Sequence, residues 1–127
     1  MKILHIEDCP QISAVYSDIL KISGHDYEST VDSREGLELV LKSNYDVILL
    51  DLGLPYYTGF EFLADLKSNK PSEIRKIVIV SGSELEEFQI QFLKNQGVYA
   101  IHQKPISIQS LISKMMPQNV LSNIIQK

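Results

Sequence analysis

Short apolar runs and longer segments with apolar residues at helical spacing alternate along the whole chain. Lys2-Ile3-Leu4-His5-Ile6, Val47-Ile48-Leu49-Leu50 and Ile77-Val78-Ile79-Val80 read as strands, with a weaker one near Tyr27–Val31 and a fifth over Tyr99–Gln103. Between them, Ile12, Val15, Tyr16, Ile19 and Leu20 predict the buried stripe of a first helix, ended by Ser23-Gly24. Asp32 and Glu35 suit the start of a second, with Leu37, Val40 and Leu41 inward. Thr58 and Glu61 form a capping-box pattern before Phe62, Leu63 and Leu66, and Asn69-Lys70-Pro71-Ser72 reads as a loop. Ser83 and Glu86 repeat the capping pattern, Leu85, Phe88, Phe92 and Leu93 line the fourth helix, and Gly97 stops it. Ser107 caps a last helix that turns Ile108, Leu111, Ile112 and Met115 inward.

Five strand–helix units predict an α/β fold, a doubly wound parallel sheet covered on both faces in three layers. The third and fourth strands are unbroken Val/Ile/Leu runs, as central parallel strands are. Residues 1–117 make one domain; 118–127 fall outside the pattern as a tail or the start of a linker. Val120, Leu121, Ile124 and Ile125 would give that tail one or two amphipathic turns, and Pro117 argues against an unbroken extension of the last helix.

Composition narrows the function. The 127 residues suffice for one real core, and 44% hydrophobic with 22% charged is ordinary for a globular chain. A net charge of -4 disfavours direct nucleic-acid binding. No run approaches the ~20 apolar residues of a membrane helix. No signal-peptide pattern opens the chain, and Cys9 is its only cysteine, so a reducing cytoplasm is the expected compartment. Cys9 has no basic neighbour to activate it and reads as structural. His25 and His102 lack metal-ligand spacing, and His5 reads as a packed strand residue.

The chemistry lies at the strand ends. Glu7 and Asp8 follow the first strand, Asp51 the third, Ser81 closes the fourth and Lys104 follows the fifth. In an open parallel sheet those ends share one edge, where such folds bind ligands. Each residue alone is ordinary turn or surface chemistry. Together they place three acids, a hydroxyl and an ammonium in one pocket, a set suited to phosphoryl chemistry.

With Glu7-Asp8, Asp51-Leu52-Gly53-Leu54-Pro55 and Gly59, Ser81-Gly82 and Lys104-Pro105 in that order, the chain resembles the response-regulator receiver domains of two-component signalling, of the chemotaxis-regulator type, over roughly residues 2–116. The resemblance implies a flavodoxin-like fold with strand order 2-1-3-4-5. It implies Asp51 as the phosphorylated nucleophile, with Lys104 and Ser81 completing the catalytic set. It further implies Glu7, Asp8, Asp51 and the Gly53 carbonyl as ligands of Mg²⁺, with Mn²⁺ as a substitute, Asp8 being the favoured direct acid of the pair. Pro105 matches a cis Lys-Pro bond in the family. The partners implied are a histidine kinase or phosphotransfer protein and a downstream protein or output domain; a homodimer stays open. Such a domain is not a multiple-turnover enzyme and catalyses only its own phosphorylation and dephosphorylation.

Two features depart from the family pattern. Ile101 stands at the switch position that usually carries an aromatic side chain, while Tyr99 lies two residues earlier on the same strand face. Gly53 and Ser83 are small at positions that tune the phosphate's lifetime in the family. The face made by the fourth helix, fifth strand and fifth helix is the implied output surface. Two alternatives are a phosphorylation-independent pseudo-receiver that acts as an interaction module, and a small aspartate-nucleophile phosphatase. Glu7-Asp8-Cys9-Pro10 lacks the second aspartate that the latter usually carries after its first strand.

Overall fold

The computed structural model describes residues 1–53, 57–82 and 84–115, with Lys114 and Met115 described by backbone alone. Expectations for Leu54, Pro55, Tyr56, Ser83, the Met115 side chain and the 118–127 tail, Pro117 included, lie outside the described residues.

Five strands, β1 (Lys2–Ile6), β2 (Asp26–Thr30), β3 (Val47–Leu50), β4 (Ile77–Ser81) and β5 (Ala100–Gln103), form one parallel sheet in the order β2-β1-β3-β4-β5. The helices are α1 (Pro10–Ile22), α2 (Ser33–Lys42), α3 (Gly59–Asn69), α4 (Glu87–Gln96) and α5 (Ile108–Met115). The stretch read as a loop after α3 is instead a turn of 3₁₀ helix over Pro71–Lys76. It closes around buried Glu73, which pairs with Lys70 at 3.4 Å and Lys76 at 2.6 Å. Burial opposes the charge on Glu73, and the two lysines outweigh it, holding the carboxyl below its usual range.

Alternating side chains of each strand enter two cores. On one face Leu4, Ile6, Ile48, Leu50, Ile77 and Ile79 meet Val40 of α2, Phe62, Leu63 and Leu66 of α3 and Leu93 of α4. On the other, Ile3, Val47, Leu49, Val78 and Val80 meet Tyr16 and Leu20 of α1 and Leu111 of α5. These are the three expected layers. Full burial of a Leu, Ile or Phe side chain contributes about 1.5–3 kcal/mol, so the central strands dominate the stability.

Helix ends follow ordinary capping chemistry. Asp32 accepts from the Arg34 amide, Thr58 from the Glu61 amide and Ser107 from the Ser110 amide. Gly97 ends α4 at φ 95°, a left-handed conformation that only glycine adopts readily. α4 begins later than its sequence suggests. Glu86 is the N-cap and shares a reciprocal capping box with Gln89.

Four residues expected in the core are exposed: Val15, Leu41, Phe88 and Phe92. On α1 and α2 the inner places include the small residues Ser13, Ser33 and Gly36, while on α4 Leu93 alone is fully buried. A Cβ on Gly36 would come within 2.7 Å of Ile6 Cδ1, so a larger residue there would have to displace the buried Ile6 side chain.

His5 is buried in β1, as read from sequence. Its Nδ1 lies 2.6 Å from the Tyr27 hydroxyl, which donates to the Ser13 carbonyl at 3.3 Å. Its ring lies 4.6 Å from that of Tyr16. Burial, then the positive charge of Lys104, lowers the imidazole to about 4, against the opposing pull of Asp51. The unfolded chain takes up this proton near pH 6.5 and the folded chain only near 4. The His5 contribution is therefore complete above pH 6.5 and is lost as pH falls towards 4, by about 3 kcal/mol. Urea midpoints measured from pH 7.5 to 4 should fall less steeply for His5→Gln than for wild type. Parallel profiles would show that folding does not change the proton affinity of His5.

Candidate functional site

Four of the five strands stop one residue short of, or at, a chemical side chain. β1 hands the chain to Glu7 and Asp8, β3 to Asp51 and β5 to Lys104, while Ser81 is the last residue of β4. Because β1, β3, β4 and β5 lie side by side in parallel, all five residues emerge at one edge. The edge is tied together by backbone. The Asp51 amide donates to the Ile6 carbonyl at 3.3 Å, and the Lys104 amide to the Ser81 carbonyl at 2.7 Å. The Lys104-Pro105 peptide is cis.

Carboxylate oxygens of Glu7, Asp8 and Asp51 lie within 4.8 Å of one another. Glu7 is 2% exposed and Asp51 8%, while Asp8 reaches solvent. The Lys104 ammonium stands 3.2 Å from Asp51 Oδ2 and 3.4 Å from Glu7 Oε2. Asp51 Oδ1 accepts from the Gly53 amide at 2.8 Å. Two unit charges about 4 Å apart interact with about 4 kcal/mol at an effective dielectric of 20, so one ammonium cannot neutralise three acids. Burial, then the hydrogen bond and charge of Asp51, push the Glu7 carboxyl above the usual carboxylate range against the pull of Lys104. Burial opposes the Lys104 charge, and the Asp51 and Glu7 carboxylates outweigh it, holding the ammonium above its ordinary value.

Gly59 has a packing reason. A Cβ there would lie 2.9 Å from Leu52 Cα, and its amide donates to the Leu52 carbonyl at 3.4 Å, so α3 starts hard against the chain leaving Asp51. A Cβ on Gly82 would meet Lys104 Cδ at an ordinary 3.8 Å, leaving open space beside the lysine.

The sequence matches the model of the response regulator receiver domain family over residues 3–116. The chain belongs to this family.

Among curated relatives, the receiver is 29% identical over 114 residues to the response regulator ArlR of Staphylococcus saprophyticus, covering 90% of this chain and 50% of that one. It is 28% identical over 118 residues to the transcriptional regulatory protein HprR of Escherichia coli, covering 93% and 51%. The receiver thus spans about half the length of these relatives. In structure it is similar to the Francisella response regulator 1452 receiver domain, with TM-score 0.78, 28% identity and 98% of each chain covered. It is likewise similar to a CheY-like receiver domain from Methanospirillum hungatei, with TM-score 0.80, 27% identity and 90% and 89% covered.

Receiver domains bind Mg²⁺ at an acidic pocket of this kind. The donors here are all oxygen, the chemistry that a hard divalent cation prefers, so the residues fit the ion. Ile101 is half-buried in β5 and shares with Ser81 the wall of a hollow of about 140 Å³ that Leu85, Ile90, His102 and Gln103 complete. Tyr99 is 52% exposed and borders a separate hollow on the outer side of Ile101, so it does not take the place of an aromatic beside Ser81. Cys9 is the N-cap of α1, its thiol donating to Gln11 Oε1 at 3.3 Å.

In the loop after Asp51 the sequence offers Tyr56 and Tyr57, read as loop packing rather than as the pocket mouth, and Tyr57 packs in this way. Tyr57 is buried and anchors the chain between Asp51 and α3. Its carbonyl accepts from the Ser33 hydroxyl at 2.5 Å, its hydroxyl donates to the Asp65 carboxylate, and the Arg34 guanidinium lies 4.5 Å from its ring. Burial, then Asp65, push the hydroxyl well above its usual range.

Uncompensated negative charge makes the site a point of strain that substitution can relieve. Asp51→Asn should raise the melting temperature by a few degrees, Lys104→Met should lower it, and Mg²⁺ should stabilise wild type more than Asp51→Asn. Calorimetry with and without Mg²⁺ checks all three. A destabilised Asp51→Asn would mean that the Lys104–Asp51 pair outweighs the repulsion.

Proposed function

We propose that Asp51 accepts a phosphoryl group from the phosphohistidine of a histidine kinase or phosphotransfer protein, and that the phosphorylated receiver carries a two-component signal. The observation that carries this reading is the Lys104 ammonium, 3.2 Å from Asp51 and 3.4 Å from Glu7, at the edge of the sheet. A carboxylate is ionised near neutral pH and needs no general base to act as nucleophile. One Asp51 oxygen attacks phosphorus in line with the P–N bond. The O–P bond forms as the P–N bond breaks, and the imidazole leaves with the bonding pair. Positioning and charge stabilisation supply most of the catalysis in such transfers. Lys104 offsets charge on the transferred group, and the Ser81 hydroxyl donates to one of its oxygens. Glu7, Asp8, Asp51 and the Gly53 carbonyl would hold Mg²⁺, which neutralises negative charge on the phosphoryl oxygens when bound. Attack of water on the acyl phosphate later restores Asp51 and releases inorganic phosphate, so the domain processes only its own phosphate.

Among the described residues no helix is long and apolar enough to cross a membrane. We place the receiver in the cytoplasm, where kinase phosphodonors act. The E. coli sensor protein ArcB also matches, over 14% of its length, so similar segments occur in sensors as well as in regulators. The downstream target is therefore a separate protein or an attached output domain.

Intact-protein mass after incubation with acetyl phosphate and Mg²⁺ tests the reading. Wild type should gain one phosphoryl group, the gain should require Mg²⁺, and Asp51→Asn should show none. An unmodified wild type that also fails to bind Mg²⁺ in calorimetry would make the chain a pseudo-receiver.

A further inference from the structure

α4 turns two phenylalanines to solvent. Phe88 and Phe92 stand one helical turn apart and are 68% and 48% exposed, whereas Leu93 faces the core. The Phe92 ring lies 6.2 Å from that of half-buried Phe60 on α3, so an aromatic strip crosses from one helix to the next. The other flank of α4 is a different surface, where Ile90 and Lys94 border a hollow of about 250 Å³ with Tyr99 and Ile101. Single exposed apolar residues are ordinary, but adjoining exposed aromatics mark a binding surface.

The charges around the strip are mostly of one sign. Exposed Glu61 follows Phe60 on α3, and exposed Glu84, Glu86 and Glu87 precede Phe88. Lys67, two turns beyond Phe60, is the cation at the far end of the strip. Acids at helix starts complement the helix dipoles. Beside exposed rings they also select what can approach. A second copy presenting the same face would bring acid against acid, which a two-fold contact does not tolerate well.

We propose that the Phe60–Phe92–Phe88 face between α3 and α4 docks a cationic amphipathic segment of a partner protein. Its apolar edge covers the rings and its Lys or Arg side chains meet Glu61, Glu84 and Glu87. Aromatic anchors of this kind carry most of the binding energy in such contacts, with the charges setting rate and specificity.

Fluorescence anisotropy with a labelled amphipathic Leu/Lys peptide, and its Leu/Glu twin, tests this on the full chain. The Leu/Lys peptide should bind at low salt and weaken as salt rises, and the twin should not bind. Affinity should fall about tenfold or more in Phe88→Ser/Phe92→Ser and several-fold in Glu84→Gln/Glu87→Gln, with Tyr99→Ser unchanged. Circular dichroism checks each variant, and the glutamine pair carries the test if the serine pair unfolds. Absence of binding, equal binding of both peptides, or wild-type affinity in the variants would overturn the proposal. So would a dimer in light scattering that Phe92→Ser dissolves, which would assign the face to a second copy.

Discussion

A buried carboxylate beside another carboxylate requires a cation close at hand, and much of this molecule's layout serves that requirement. Glu7 and Asp51 come from adjacent strands, each almost wholly withdrawn from water. Lys104 reaches Asp51 from two strands away and Glu7 from three, because β5 pairs with β4 up to Ser81–Gln103 and delivers the lysine one residue later. Its side chain is 27% exposed, far enough in to face little screening by solvent. Three acids against this one ammonium leave an excess of acid at the edge of the sheet.

That arrangement holds only while the chain leaving Asp51 stays in place. Gly59 lets α3 abut Leu52, and Tyr57 binds the same segment to α2 through Ser33 and Arg34 and to α3 through Asp65. Two helices on one face of the sheet thus grip the segment that holds the Gly53 amide against Asp51. On the opposite face His5, tilted against Tyr16 and linked to Tyr27, feels the charges of Lys104 and Asp51.

Strand identities, the three layers and the acids, hydroxyl and lysine at the sheet edge were all legible in the sequence, because burial on both faces writes itself as unbroken apolar runs. Helix faces were less legible. The spacing of Val15 with Ile12 and Ile19, or of Phe88 with Phe92, defines a stripe without saying whether it faces the sheet. Close packing overturned the expectation at Val15 and Leu41, since the small Ser13, Ser33 and Gly36 take inner positions on α1 and α2. The start of α4 shifted because Glu86 and Gln89 form a reciprocal cap of their own. The isomer of Lys104-Pro105 has no signature in the local sequence, since either form satisfies it.

The backbone bond from the Lys104 amide to the Ser81 carbonyl makes the site a matter of counting. Strand residues alternate faces with period two, so deleting one residue within Ala100–Gln103 would turn every following side chain to the other face and carry the ammonium away from its acids. The loops at the opposite edge of the sheet, such as Gly97–Tyr99 before β5, impose no such arithmetic on the pocket. Natural variation in chain length should therefore accumulate at that far edge, while the strands keep their lengths even where their sequences drift.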